Sequence, residues 1–311
     1  MTPTPEPVWR PLLLLSLTLC TTTLVGGCHY LGFEQALDPS FNWPPADAGA
    51  SALAPFLSAS FLLPGLWYSL TILAILGCHE MGHVLACRYH GVDSTWPYFL
   101  PVPLPLTGTL GAFIRIRSRF PSSVALFDIG IAGPLAGVAV AVPALFAGLA
   151  LSQIVRLPED QSGLMELGEP LLFQAAAWLI LGPIPDGFTI NMHPMAFAAW
   201  FGLLATALNL FPIAQLDGGH ISYAVLGPRS LWVTGAMMAV ALGLTVISSS
   251  WAAWTAMLVA MLLLAGPRHP STLDDERPLG TTRLVLAVVA MVVLILCFTP
   301  APLEPFVTGA P

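Results

Sequence analysis

The sequence predicts an all-α polytopic membrane protein of about seven transmembrane helices, with a short β-hairpin or re-entrant segment among them. Three observations carry that prediction. Apolar residues make up 56% of the chain and charged residues only 9%, with a mean hydropathy of +0.80, far from the balance of a soluble domain. Runs long enough to cross a bilayer, about 20 residues each, recur along the chain. The ten basic residues are all arginine, and they sort to one side of the membrane when those runs alternate.

In order, the runs occupy 11–29, 56–88, 123–151, 195–226, 231–249, 251–266 and 283–299. The first follows MTPTPEPVWR, which is too short for an organelle transit peptide. VGGC at 25–28 resembles a lipoprotein cleavage box, but a basic flank before an apolar run describes a first transmembrane helix equally well. The 251–266 run is short for a span. LLFQAAAWLILG at 171–182 is shorter still, with Pro183 and Pro185 just beyond it, and is expected to be re-entrant or interfacial. If the N-terminus is cytoplasmic and the seven runs alternate, Arg10, Arg88, Arg115, Arg117, Arg119, Arg229, Arg268, Arg277 and Arg283 fall on the cytoplasmic side and only Arg156 outside, as the positive-inside rule requires. The outer connections carry Glu34, Asp38, Asp47, Glu159, Asp160, Glu166 and Glu169. The chain divides into a first helix and outer loop (1–55), a catalytic membrane core (56–226) and C-terminal transmembrane helices (227–311), with a polar connector at 267–282 before the final run. In a bacterium it would reside in the cytoplasmic membrane.

WPYFLPVPLPLTGTLGAFIRIRSRFP, residues 96–121, is neither helix nor ordinary loop. Prolines at 97, 101, 103 and 105 exclude a regular helix. After Gly108 and Gly111, AFIRIRSRF alternates apolar and basic residues with the period of a strand, which predicts a hairpin or extended loop at the cytoplasmic face. The net charge of −7 and the lack of a basic cluster give no reason to propose nucleic acid as a partner. Cys20, Cys28, Cys78, Cys87 and Cys297 have no paired spacing and read as packing residues. GIAGPLAG at 130–137 reads as a close helix contact, and Asp128 before it as a helix cap.

The chemistry is concentrated in HEMGH, residues 79–83, inside an apolar run. Positions four apart lie one turn apart on one helix face, so His79 and His83 can direct ring nitrogens at one metal ion. Zinc suits imidazole and carboxylate ligands with one open position, and Glu80, beside that face, can take a proton from water. An acidic side chain at mid-membrane costs about 2.5–3.5 kcal/mol on insertion scales, which a metal would offset. A third ligand is expected from NLFPIAQLDGGH, residues 209–220. There Pro212 can break the incoming helix, and Gly218 and Gly219 can bend the chain, placing Asp217 on irregular backbone at membrane depth. Asp217 is the preferred ligand and His220, three residues on, the alternative. His29, His90, His193 and His269 lie in loops or at segment ends, with no catalytic role expected.

HEMGH within an apolar segment, followed by NLFPIAQLDG, resembles the site-2 protease family of intramembrane zinc metalloproteases, peptidase family M50. GTLGAFIRIRS at 108–118, LFDIGIAGPLAG at 126–137 and the RHP and PLG elements of 268–280 are similar to its plastid and cyanobacterial branch. The resemblance covers roughly 56–300. It implies that His79, His83 and Asp217 bind zinc, that Glu80 is the catalytic base, and that Asn209 helps to hold the substrate backbone. The PDZ domain of many relatives is missing from this sequence. The implied reaction is peptide-bond hydrolysis within or beside transmembrane segments of membrane proteins, in regulated intramembrane proteolysis. A helical substrate must unwind first, and the free edge of the strand at Gly111, Ala112 and Phe113 is expected to pair with it by β-augmentation. The alternative for that strand is a hairpin anchored to lipid head groups. Two rival functions are a membrane metal-ion transporter, which needs ligands strung along a path, and an inactive membrane chaperone, which needs no Glu80.

Overall fold

The computed structural model describes residues 7–38, 40–44, 53–158, 165–213, 215–266, 272–274 and 278–305. Asp47, Glu159, Asp160, Arg268, His269 and Arg277 lie outside the described residues. The chain is mostly helical. Helix α1 (Trp9–Leu37), α2 (Ala59–Tyr89) and α3 (Ser123–Leu151) are long rods. They are followed by a short α4 (Leu171–Leu181), α5 (Pro194–Leu210), α6 (Asp217–Leu226), α7 (Ser230–Ile247), α8 (Trp251–Ala265) and α9 (Thr281–Cys297). By length and composition, α1, α2, α3 and the stretch Asp217–Ile247 are long and apolar enough to cross a membrane, whereas α5 and α9 have 17 residues each. The stretch Asp217–Ile247 is not one rod. Gly227 has φ +58°, a conformation that ends α6, and the Thr234 hydroxyl of α7 donates to the Pro212 carbonyl, so α7 folds back along the 211–216 loop.

The expected 195–226 run is therefore two helices. The backbone leaves α5 at Phe211, in extended conformation before Pro212, as the residue preceding a proline prefers. Asp217 is the first residue of α6, with Leu216 as its cap, which corrects the expectation of irregular backbone at Asp217. Gly218 and Gly219 are helical and do not bend the chain. Gly218 is needed for closeness, because a Cβ there would overlap the Leu210 carbonyl. The 171–182 segment forms α4, an 11-residue helix about 17 Å long, with Phe173, Ala176 and Ala177 buried and Trp178 and Leu179 exposed.

Helix α2 packs on α1, α3 and α5, and α3 on α5 and α6. The core between them is filled by Tyr68, Ile72, Leu145, Leu149, Trp200 and Leu203. Gly26 and Gly27 of α1 and Gly65 of α2 bring those two helices together: a Cβ on Gly26 would overlap the Gly65 carbonyl and one on Gly65 the Thr23 carbonyl. Thr22 and Ser69 share a hydrogen bond of 2.6 Å across the contact. Outward faces carry apolar side chains such as Leu12, Trp232, Val246, Val285 and Met291, the pattern of helices solvated by lipid rather than water.

Among the described residues, three two-stranded antiparallel ribbons accompany the helices. Strand β1 (Tyr98–Phe99) pairs with β2 (Ala112–Phe113), Tyr98 opposite Phe113 and Phe99 opposite Ala112. The ladder is much shorter than the alternation of 112–120 predicts, continuing only as a Ser94–Ile116 bridge. The alternation itself is realised, with Phe113, Arg115, Arg117 and Arg119 exposed and Ile114 and Ile116 turned inward. The connecting loop is also deeper than expected. Its tip at 106–108 bonds to Thr21, His29 and Tyr68, and Tyr68 stands 21 residues from the C-terminal end of α2, about 30 Å along the helix. Strand β3 (Gln153–Arg156) pairs with β5 (Phe188–Asn191), and β4 (Met165–Leu167) with β6 (Leu303–Pro305).

Candidate active site

HEMGH lies on the buried side of α2, with His79, Glu80 and His83 each 6–7% exposed. The opposing surface is α3, where Gly133 and Gly137 repeat the spacing of the two histidines. A Cβ at Gly133 would overlap the His83 ring, and one at Gly137 would stand 3.3 Å from His79. The small-residue run thus makes the flat seat into which both imidazoles fit. The His83 Nδ1–H donates to the Ile129 carbonyl of α3 at 2.7 Å. A carbonyl only accepts, so the ring proton is committed there and Nε2 keeps its lone pair for the interior.

Asp217 arrives from the other side. The proline break after α5 and the start of α6 carry its carboxylate to 3.1 Å from His79 Nε2 and 3.3 Å from His83 Nε2, while the two Nε2 atoms are 3.1 Å apart. Its place in the first turn of α6 sets the anionic group at the positive end of that helix. Three corners of a tetrahedron around a small ion, with bonds near 2.0–2.1 Å, stand about 3.3 Å apart. The triangle of His79, His83 and Asp217 has that size, and convergent ring nitrogens against a carboxylate form a donor set that a divalent cation stabilises. Among the described residues this is the group of ligand-type side chains positioned to hold a metal ion.

Glu80 borders the same cavity, and the backbone N–H of Ile114 bonds its carboxylate. The cavity, of about 430 Å³, is walled by α2, the extended residues 110–116, Ile129 of α3, α5, residues 215–220 at the start of α6, and α8. Gly111, Ala112 and Phe113 line it, as does Asn209, whose amide nitrogen is 3.4 Å from His79 Nε2. His220 also lines the cavity, with its ring 5.7 Å from that of Phe120, but it is not one of the three converging groups.

Several polar residues differ from their sequence-based reading. Asp128 is no cap: Ser122 caps α3 by accepting from the Ala125 N–H. Asp128 instead receives two hydrogen bonds of 2.7 Å from Arg283 of α9 and lies 2.9 Å from His90. His29 is inside α1 and bonds the Leu106 carbonyl. His193 caps α5, its Nδ1 accepting from the Met195 N–H. Of the cysteines, Cys87 and Cys297 are buried packing residues, while Cys20, Cys28 and Cys78 are exposed. Neither the His29 contact nor the Arg283 pair has a local signal, because their partners are 77 and 155 positions away.

A buried two-histidine, one-carboxylate triangle with an acid beside it, set among apolar helices, is the arrangement that metal-dependent hydrolases use. Residues 67–248 match the family model described as Peptidase family M50, and the chain belongs to that family. It is 30% identical over 321 residues to the probable zinc metalloprotease EGY1, chloroplastic, of Arabidopsis thaliana, covering 96% of this chain and 54% of the relative. The rice EGY1 (Oryza sativa subsp. japonica) is 31% identical, covering 96% and 52%. The probable zinc metalloprotease EGY2, chloroplastic, of Oryza sativa subsp. indica is 30% identical over 81% of this chain and 46% of the relative. The chain spans about half the length of these curated relatives.

Proposed function

We propose that the chain is an intramembrane zinc metalloprotease that hydrolyses peptide bonds within or near transmembrane segments of other membrane proteins. The observation that carries the reading is the meeting of His79, His83 and Asp217 at 3.1–3.3 Å beside Glu80, in a cavity with an extended backbone edge along one wall. Family membership and the relatives' description as zinc metalloproteases support zinc as the ion. Zinc, when bound, supplies the Lewis acidity that makes water a nucleophile near neutral pH.

In this reading Glu80 takes the proton of the water that adds to the scissile carbonyl carbon. It then gives that proton to the departing amide nitrogen as the C–N bond breaks. The Ile114 N–H holds the carboxylate in position for both transfers. Leu100 N–H bonds the Gly111 carbonyl, and in an antiparallel ladder backbone groups alternate in direction, so those of Ala112 and Ile114 face away from β1. Ile114 meets Glu80, and Ala112 is left to pair with an unwound substrate strand. Gly111 and Phe113 flank that pairing, and Asn209 orients the substrate backbone from the opposite wall. The arginine distribution supports a cytoplasmic N-terminus, or its plastid equivalent, and a multi-pass arrangement in which α5, α8 and α9 complete about seven crossings.

The test is cleavage of a single-pass membrane substrate in liposomes by the wild type and by Glu80→Gln, with and without a zinc chelator. Cleavage by the wild type alone, lost on chelation, is expected; equal cleavage by both proteins would sink the reading.

A further inference from the structure

We propose that α1 positions the substrate-pairing edge, acting through Thr21 and His29, together with Tyr68 of α2, on the tip of the inserted 100–109 loop. The inference rests on the protease reading and deepens it. Three successive carbonyls at the tip are each held by a side chain of a neighbouring helix. The Leu106 carbonyl lies 2.9 Å from His29 Nε2, the Thr107 carbonyl accepts from the Tyr68 hydroxyl at 3.0 Å, and the Gly108 carbonyl accepts from the Thr21 hydroxyl at 2.7 Å. Because a carbonyl cannot donate, His29 carries its proton on Nε2.

Non-helical backbone among membrane helices persists only where its polar groups find partners in the protein. The loop meets that demand at its tip and its base. Pro101, Pro103 and Pro105 have no N–H to satisfy. The N–H groups of Thr107 and Gly108 both reach the Leu104 carbonyl, and the Thr109 hydroxyl bridges the Leu100 carbonyl and the Gly111 N–H. Gly108, at φ +69° and pressed against Thr21 and Thr22, takes a conformation and a closeness that other residues resist. The tip is therefore a fixed point, and the edge starts from it: Ala112 is four residues beyond Gly108, and Ile114, bonded to Glu80, is six beyond.

Helix α1 cannot drift independently of this arrangement, because Gly26, Gly65 and the Thr22–Ser69 bond lock it to the helix that carries HEMGH. Yet α1 lies outside residues 67–248, the part that matches the family model. Two of the three anchors thus come from outside the matched core and set the height of the edge relative to Glu80. A displaced tip would offer the substrate a different register, and a different bond would reach the metal triangle.

The experiment compares full-length wild type, Thr21→Val, Tyr68→Phe, His29→Leu and the triple variant in liposomes. It measures metal content, kcat and KM on a transmembrane substrate, the cleaved bond by mass spectrometry, and amide hydrogen exchange across 106–114. Tyr68→Phe and Thr21→Val remove a donor at nearly constant shape, so metal content should stay at the wild-type level. The expected result is a KM raised about tenfold per anchor, the factor for one well-made hydrogen bond. Cleavage should spread to neighbouring bonds, exchange should rise within 106–114, and His29→Asn, which retains an N–H donor, should recover much of the wild-type behaviour. A triple variant with wild-type metal content, KM, cleaved bond and exchange would overturn the proposal. Failure of the protease reading would appear separately, as no difference between wild type and Glu80→Gln, and the exchange measurement decides the anchoring either way.

Discussion

At the scale of single residues, the proposed reading separates binding the ion from moving protons. Replacing Glu80 by Gln removes the proposed base and leaves the triangle of His79, His83 and Asp217 untouched. Cleavage should fall by about 10²–10⁴-fold, the range for a lost general base, while metal analysis of the purified protein shows no loss. Asp217→Asn should do the opposite, emptying the site because a neutral amide no longer balances the ion, whereas His220→Ala should retain the metal. Those two variants, measured side by side, decide between the aspartate and the histidine as third ligand. Gly133 is the least obvious of the critical residues. Gly133→Ala places a methyl where the His83 ring lies, so metal affinity should drop by about 10–100-fold, as for loss of other contacts that orient a ligand, even though no ligand is changed.

At the scale of elements, what was legible in the sequence follows the range of the signal. HEMGH is readable because an i, i+4 pair has one geometric meaning on a helix. The break before LDG is readable because Pro212 acts locally. Apolar composition alone does not reveal that the 195–226 run holds two helices; only the proline within it does. Likewise, the alternation of 112–120 reports burial correctly yet overstates the strand, since only Ala112–Phe113 finds a ladder partner. Ribbons β3–β5 and β4–β6 have no signal beyond three or four residues apiece, and their pairing joins segments far apart in the chain. The exposed edge of β2 is testable as an element. Ala112→Pro removes the N–H proposed to pair with substrate, so kcat/KM on a transmembrane substrate should fall at least about tenfold with metal content preserved.

At the scale of the whole molecule, the proposed metal site ties α2, α5, α6 and α3 together, the first three through the proposed ligands or their neighbours and the last through the Ile129 carbonyl and the glycine seat. An ion bound only by the folded chain adds its binding energy to stability, about 4 kcal/mol at a thousandfold excess over its dissociation constant. Chelation should therefore lower the melting temperature of the wild type by several degrees and leave that of His83→Ala unchanged, by thermal denaturation in detergent. Helix α9 is fastened to this body at both ends. Near its start Arg283 grips Asp128 through two bonds of 2.7 Å, and just past its end β6 pairs with β4. Such double fastening predicts a consequence for assembly: recognition between α9 and the rest of the fold should survive a break in the covalent link between α8 and α9. Two polypeptides made separately, one ending after α8 and the other beginning before α9, should find each other in the bilayer and reconstitute the fold, and Arg283→Met in the shorter piece should weaken that complementation.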